Sequence, residues 1–273
     1  MEIPIRILAS LAILWLVSFA GTARAQEIVT LSTRPGVTQS YLLDQVPANP
    51  LEIGVLFPGS GGLIQLRQEK GRIEFSPDNF LVRARSEFTR RGVIAAIVDA
   101  PSDQQRNWGM SDEFRLGEDH FKDISAVVDD LGKRFPGSPQ FLIGISRGTI
   151  SAAAVSARLG PMPAGVVLTS TMFRQAGARS KEPGPGLSRF DFASIKAPLL
   201  FVHHAGDQCG STPYGDAARL ADKYPLISVL GGKPPESGPC DPLSAHGYFG
   251  KESETVEQIV NWMLKKPFQE RVE

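Results

Sequence analysis

The chain reads as a single α/β domain: a mostly parallel sheet with helices on both faces, entered through an antiparallel N-terminal hairpin. Three observations predict this class. Short, fully apolar runs recur after residue 50. Segments with helical apolar spacing separate them, and glycine, proline and small polar residues mark the junctions. Strands without polar alternation need cover on both faces, which the crossover helices of a parallel sheet supply. A chain of 273 residues can bury roughly three quarters of its unfolded surface in one core, so no second domain is required.

The first segment stands outside this pattern. Arg6 precedes an apolar stretch from Ile7 to Ala20, followed by Gly-Thr-Ala-Arg-Ala. Ala23 and Ala25 supply the small residues a signal peptidase accepts, which predicts a leader over residues 1–25 cleaved after Ala25, although Glu2 is unusual so near its start. The apolar stretch is shorter than the ~20 residues of a bilayer span. The expectation is an exported protein, periplasmic or secreted, whose domain covers residues 26–273 and keeps no stable membrane span.

Elements follow in order. EIVTLST, a turn at Arg34-Pro35-Gly36, and QSYLLDQV form the hairpin. Leu51 to Phe57 is a strand ended by Pro-Gly-Ser-Gly-Gly. Asn79 to Arg91 is a helix stopped by Gly92, and Val93 to Ala100 is a buried strand. His120 to Phe135 is a helix with Phe121, Ile124, Val127, Val128 and Leu131 on one face. His120, at its start, is read as a surface residue. Gln140 to Ser146 is a strand and Arg147 to Leu159 an alanine-rich helix. Ala164 to Ser170 and Pro198 to His204 are strands, and Thr212 to Tyr224 is a helix. Pro225 to Leu230 is the last strand, and Ser253 to Lys265 closes the chain as a helix. The stretch 171–195 has no period and reads as a loop or small lid.

Chemistry concentrates at three junctions. Gly144-Ile145-Ser146-Arg147-Gly148 joins a strand directly to a helix, which is the G-x-S-x-G elbow in the context it requires. There the serine sits exposed on a strained turn, and side chains at 144 and 148 would collide with the neighbouring strand and helix. Asp207 follows the Pro198–His204 strand, and His246 lies in the loop before the last helix. The order Ser146, Asp207, His246 predicts a nucleophile, an orienting acid and a general base. Asp191 and Asp241 are rival acids, but neither ends a strand. Ser60, Gly61 and Arg147 are candidate oxyanion-hole amides, the first two from the glycine-rich loop. Trp108 is a candidate for the substrate wall.

On these motifs the chain from Leu51 to Lys266 resembles the α/β-hydrolase superfamily, in particular dienelactone-hydrolase-like and esterase-like serine hydrolases. The resemblance implies an eight-stranded sheet, acyl transfer without metal or cofactor, and the triad named above. Pro58 stands where related loops carry a histidine.

Balanced charge, with 29 basic and 29 acidic residues, gives no electrostatic ground for a nucleic-acid partner. The expected partner is a small-molecule or peptide acyl substrate. His203 and His204 are adjacent in a strand and therefore point to opposite faces, which argues against a shared metal. Behind a leader, Cys209 and Cys240 are expected to form a disulfide that ties the acid loop to the histidine loop. Three functional readings follow. The first is an ester, thioester or amide hydrolase. The second is a lactone or carbon–carbon hydrolase on the same triad, and the third a binding protein that keeps the fold without turnover.

Overall fold

The computed structural model describes residues 25–176 and 184–273. The expected leader lies outside the described residues apart from Ala25, as does the middle of the 171–195 excursion. Strands β1 (Glu27–Arg34) and β2 (Val37–Leu43) form the hairpin, and β3 (Glu52–Phe57) follows. A small charged hairpin, β4 (Arg67–Glu69) with β5 (Arg72–Glu74), precedes helices α1 (Phe80–Arg83) and α2 (Arg85–Arg90). Next come β6 (Val93–Val98), α3 (Asp112–Leu116), α4 (Glu118–Arg134), β7 (Gln140–Ile145) and α5 (Gly148–Leu159). The chain finishes with β8 (Gly165–Thr169), β9 (Leu199–His204), α6 (Tyr214–Ala218), β10 (Leu226–Val229), α7 (Glu252–Met263) and β11 (Arg271–Val272).

The main sheet runs β1-β2-β6-β3-β7-β8-β9-β10-β11. Its first two pairings are antiparallel and the rest parallel. Among the described residues it has nine strands where the resemblance implied eight. The added strand is β11, two residues that cover the open edge of β10 and bury Val272. So short a strand leaves no periodicity to read.

Alternating strand residues feed two cores. Ile53, Val55 and Phe57 pack with the apolar faces of α4 and α5 on one side. Leu56, Ile97 and Ile143 pack with α1, α2 and α7 on the other. The chain leaves β3 for β6 on one side and later enters β7 on the other, so β3 and β7 flank a topological switch point. Open α/β sheets gather ligand-binding loops at the carboxyl ends of such strands.

Two expected helices differ in detail, and a third helix is new. The segment 79–91 breaks at Ala84, whose ψ of 5° leaves the helical region and separates α1 from α2. The segment 212–224 is helical only over α6. Helix α3 was not expected, because it buries Asp112 and Arg115 rather than an apolar face.

Candidate active site

The elbow is a backbone construction. Ser146 has φ 52°, left-handed for a non-glycine residue, and its amide donates to the Thr169 carbonyl at 3.1 Å. A Cβ at Gly144 would stand 2.4 Å from the Gly148 carbonyl oxygen, and one at Gly148 would stand 2.0 Å from the Phe57 carbonyl oxygen. Both glycines therefore let β7, α5 and the end of β3 close on one another.

The loop after β3 is equally fixed. The Gly62 amide donates to the Gly59 carbonyl at 2.9 Å, closing a turn in which Ser60 has φ 46°. Arg115 Nη2 donates to the Ser60 carbonyl at 2.8 Å while Nη1 donates to Ser151 Oγ of α5 at 2.7 Å. The Gly61 carbonyl accepts from the Met110 amide at 2.9 Å. With both carbonyls held towards α3, the Ser60 and Gly61 amides donate to nothing among the described residues. The Arg147 side chain is buried and pairs with Asp112, whose other oxygen accepts the Gly186 amide at 2.8 Å. Helix α3 thus links the elbow, the loop after β3 and the 171–195 excursion. Trp108 is 56% exposed and does not line the cavity at Ser146, but its carbonyl lies against Gly61.

The acid and the imidazole meet through side chains. Asp207 Oδ2 lies 3.0 Å from His246 Nδ1 and accepts from Thr212 Oγ1 at 2.9 Å; Oδ1 accepts from the Cys209 amide at 2.9 Å. Burial would raise the Asp207 carboxyl. Hydrogen bonds from His203, His246 and the Cys209 amide outweigh it and hold the group well below the usual carboxylate range. An ionised carboxylate at Nδ1 selects the tautomer with hydrogen there, leaving Nε2 of His246 without hydrogen and able to accept a proton. Thr212 was not singled out from the sequence, and only the folded loop reveals it.

A second network holds the histidine loop. Tyr248, buried at φ 57°, donates to the Val202 carbonyl at 2.8 Å and accepts from the Ser170 amide at 3.0 Å. Ser170 Oγ donates to the His246 carbonyl at 2.8 Å. Arg83 Nη2 reaches the Gly247 carbonyl at 3.0 Å and Glu252 at 2.8 Å. Cys209 and Cys240 form the expected disulfide, their Cα atoms 4.7 Å apart. Asp191 caps its own turn through the Ala193 amide and is exposed, as is Asp241; neither bonds His246.

Ser146 and His246 line one small cavity of about 30 Å³ with Gly59, Ser60, Asn79 and Cys240. A larger cavity of about 290 Å³ borders the acid and histidine loops beside Lys233, but neither Ser146 nor His246 lines it. The smaller one is the candidate site because Ser146 and His246 both line it. His203 and His204 do face opposite ways. His203 donates to the Thr212 carbonyl at 2.7 Å and stacks near Phe173; His204 meets the Gly231 carbonyl at 3.0 Å and burial lowers its pKa.

His120 is not a surface residue: it is fully buried between Phe57 and Phe114. Helix α3, absent from the sequence reading, covers the face of α4 that would otherwise be open.

No family model and no curated protein matches the chain. Solved structures do. Est1E from Butyrivibrio proteoclasticus superposes with a TM-score of 0.59 at 15% identity, covering 87% of this chain and 98% of that one. XC6422 from Xanthomonas campestris, described as an α/β serine hydrolase without lid, gives 0.55 at 15% identity over 86% and 95%. FphF, a fluorophosphonate-binding serine hydrolase of Staphylococcus aureus, gives 0.55 at 14% identity over 88% and 99%. The chain has the α/β-hydrolase fold.

Proposed function

We propose that the chain is an exported serine hydrolase that cleaves an ester, thioester or amide through an acyl-Ser146 intermediate. The observation that carries this reading is the 3.0 Å contact of His246 Nδ1 with Asp207, on a residue that shares its cavity with Ser146. In the proposed cycle Nε2 of His246 takes the Ser146 proton as Oγ attacks the acyl carbon. The amides of Arg147 and Ser60, with Gly61 beside them, stabilise the resulting oxyanion. Collapse expels the alcohol, thiol or amine, which leaves with the proton from His246. Water then enters and gives a proton to His246 as its oxygen attacks the acyl carbon; collapse breaks the bond to Ser146 Oγ, releases the acid, and His246 returns the proton to Oγ. Asp207 keeps the imidazole in the required tautomer and stabilises the imidazolium.

Supporting context comes from the fold and from the bonded cysteines, which suit an oxidising compartment. Among the described residues no helix is long and apolar enough to cross a membrane. FphF, of the same fold, is by name a target of fluorophosphonates.

The test is labelling by a fluorophosphonate, read as an increase in intact mass. Wild type should label and Ser146→Ala should not. His246→Ala should nearly abolish labelling, and Asp207→Ala should slow turnover by about 10⁴ whereas Asp191→Ala leaves it unchanged. Absence of labelling in folded wild type would favour a binding protein. Labelling that survives Ser146→Ala would remove the proposed nucleophile.

A further inference from the structure

The cavity at Ser146 contains a hydrogen-bond donor with no role in the cycle above. Asn79 lines it together with Ser146, His246 and Ser60. The fold distinguishes the two ends of its carboxamide. Oδ1 accepts from the Leu81 amide at 3.1 Å and caps α1, so the NH₂ end is the one turned to the cavity. Among the described residues Nδ2 donates to nothing. Both groups lie against Gly59: a Cβ there would stand 3.1 Å from Ser146 Cβ, a tight contact, and 3.4 Å from Asn79 Nδ2, an ordinary one. The serine and the carboxamide therefore flank the same piece of oxyanion-loop backbone.

Asn79 is also held in place. Phe80, Leu81 and Val82 are fully buried, and Arg83 ties the end of α1 to Glu252 and to the Gly247 carbonyl beside His246. A donor fixed in advance at the point where charge develops stabilises a transition state more than a ground state.

We infer that Asn79 is a third oxyanion donor, its Nδ2 joining the Ser60 and Arg147 amides around the tetrahedral intermediate formed on Ser146. This rests on the acyl-transfer reading above. Its place beside Gly59 sets Nδ2 against the loop that carries the Ser60 amide, in the cavity that Ser146 lines.

The decisive variants keep the helix cap and lose the donor. Asn79→Ser retains a capping oxygen, and Asn79→Asp retains size and cap but replaces NH₂ with oxygen. With the full chain and p-nitrophenyl acetate, kcat for Asn79→Ser should fall by about a hundredfold while KM changes less than about threefold. Binding of a trifluoromethyl ketone should weaken by the same factor as kcat/KM, and Tm should stay near wild type because the cap survives. Asn79→Asp should be slower still, having placed an acceptor against the oxyanion. If the serine variant does not fold, the aspartate variant carries the same comparison. A kcat within threefold of wild type, or a loss confined to KM, overturns the inference while leaving the acyl-transfer reading intact. A wild type inert to both ester and fluorophosphonate overturns the two together.

Discussion

The two halves of the candidate site are built by different means. Around Ser146 and Ser60 the geometry is carried mostly by main chain: glycines at close approach and two left-handed serines, with carbonyls held by the Met110 amide and the Arg115 side chain. Around Asp207 and His246 it is carried by side chains from distant segments. Thr212, Ser170, Tyr248, Arg83 and the Cys209–Cys240 bridge all meet there. The first half has few independent ways to relax. The second has several overlapping restraints, and losing one leaves others in place. Activity should therefore be brittle in the first half and buffered in the second.

The sharpest test of that contrast is Gly148→Ala. The new methyl would meet main chain, with the Phe57 carbonyl oxygen at 2.0 Å, and no side chain can rotate out of its way. Relief requires β3 and α5 to part, which moves the loop after β3 away from Ser146. Turnover should fall at least a hundredfold, since displacements of about 1 Å cost that much. Urea unfolding should register a loss of about 1–3 kcal/mol. The double variant Cys209→Ser/Cys240→Ser should reverse the proportions. Opening a bridge of sequence separation 31 removes about 3–4 kcal/mol in the chain-entropy model. Turnover well below the melting temperature should fall less than about tenfold, because Tyr248, Ser170 and Arg83 still hold the loop at His246. Larger activity losses in the cysteine variant than in Gly148→Ala would break the comparison.

The same contrast explains what the sequence disclosed. The elbow was legible because its physics is local: five consecutive residues, a strand before and a helix after. The order of Asp207 and His246 was legible because each follows a recognisable strand. Thr212 and Tyr248 were not, since a hydroxyl becomes a positioning group only through contacts across the fold. Asn79 looked like an ordinary helix start, and only the cavity reveals its second end. Helix α3 escaped because its buried residues are the charged Asp112 and Arg115, which invert the apolar pattern on which helix recognition rests. His120 was misread for a related reason, as its cover is that same helix.

His120 offers the smallest effect, with its own sign. It sits below the main-chain half, beside Phe57 at the end of β3, and both ring nitrogens are buried without a partner among the described residues. Burial, with Arg115 and Arg34 nearby, lowers its pKa to about 3 from an ordinary 6.5. Between those values the unfolded chain binds the proton and the folded chain does not. Stability should therefore decline as pH falls below 6.5, by at most about 1.4 kcal/mol per unit from this group. Asp207, with its depressed carboxyl, adds a separate loss only as pH falls through the carboxylate range. His120→Phe suits the aromatic surroundings and removes two unsatisfied polar atoms. Relative to wild type it should gain about 2 kcal/mol more in urea unfolding at pH 5 than at pH 7.5. Turnover should stay unchanged, because the main-chain half needs packing at this position and not a charge. Parallel pH profiles for the two proteins would show that the imidazole is solvated in solution, and that this half of the site is less tightly packed than its glycines imply.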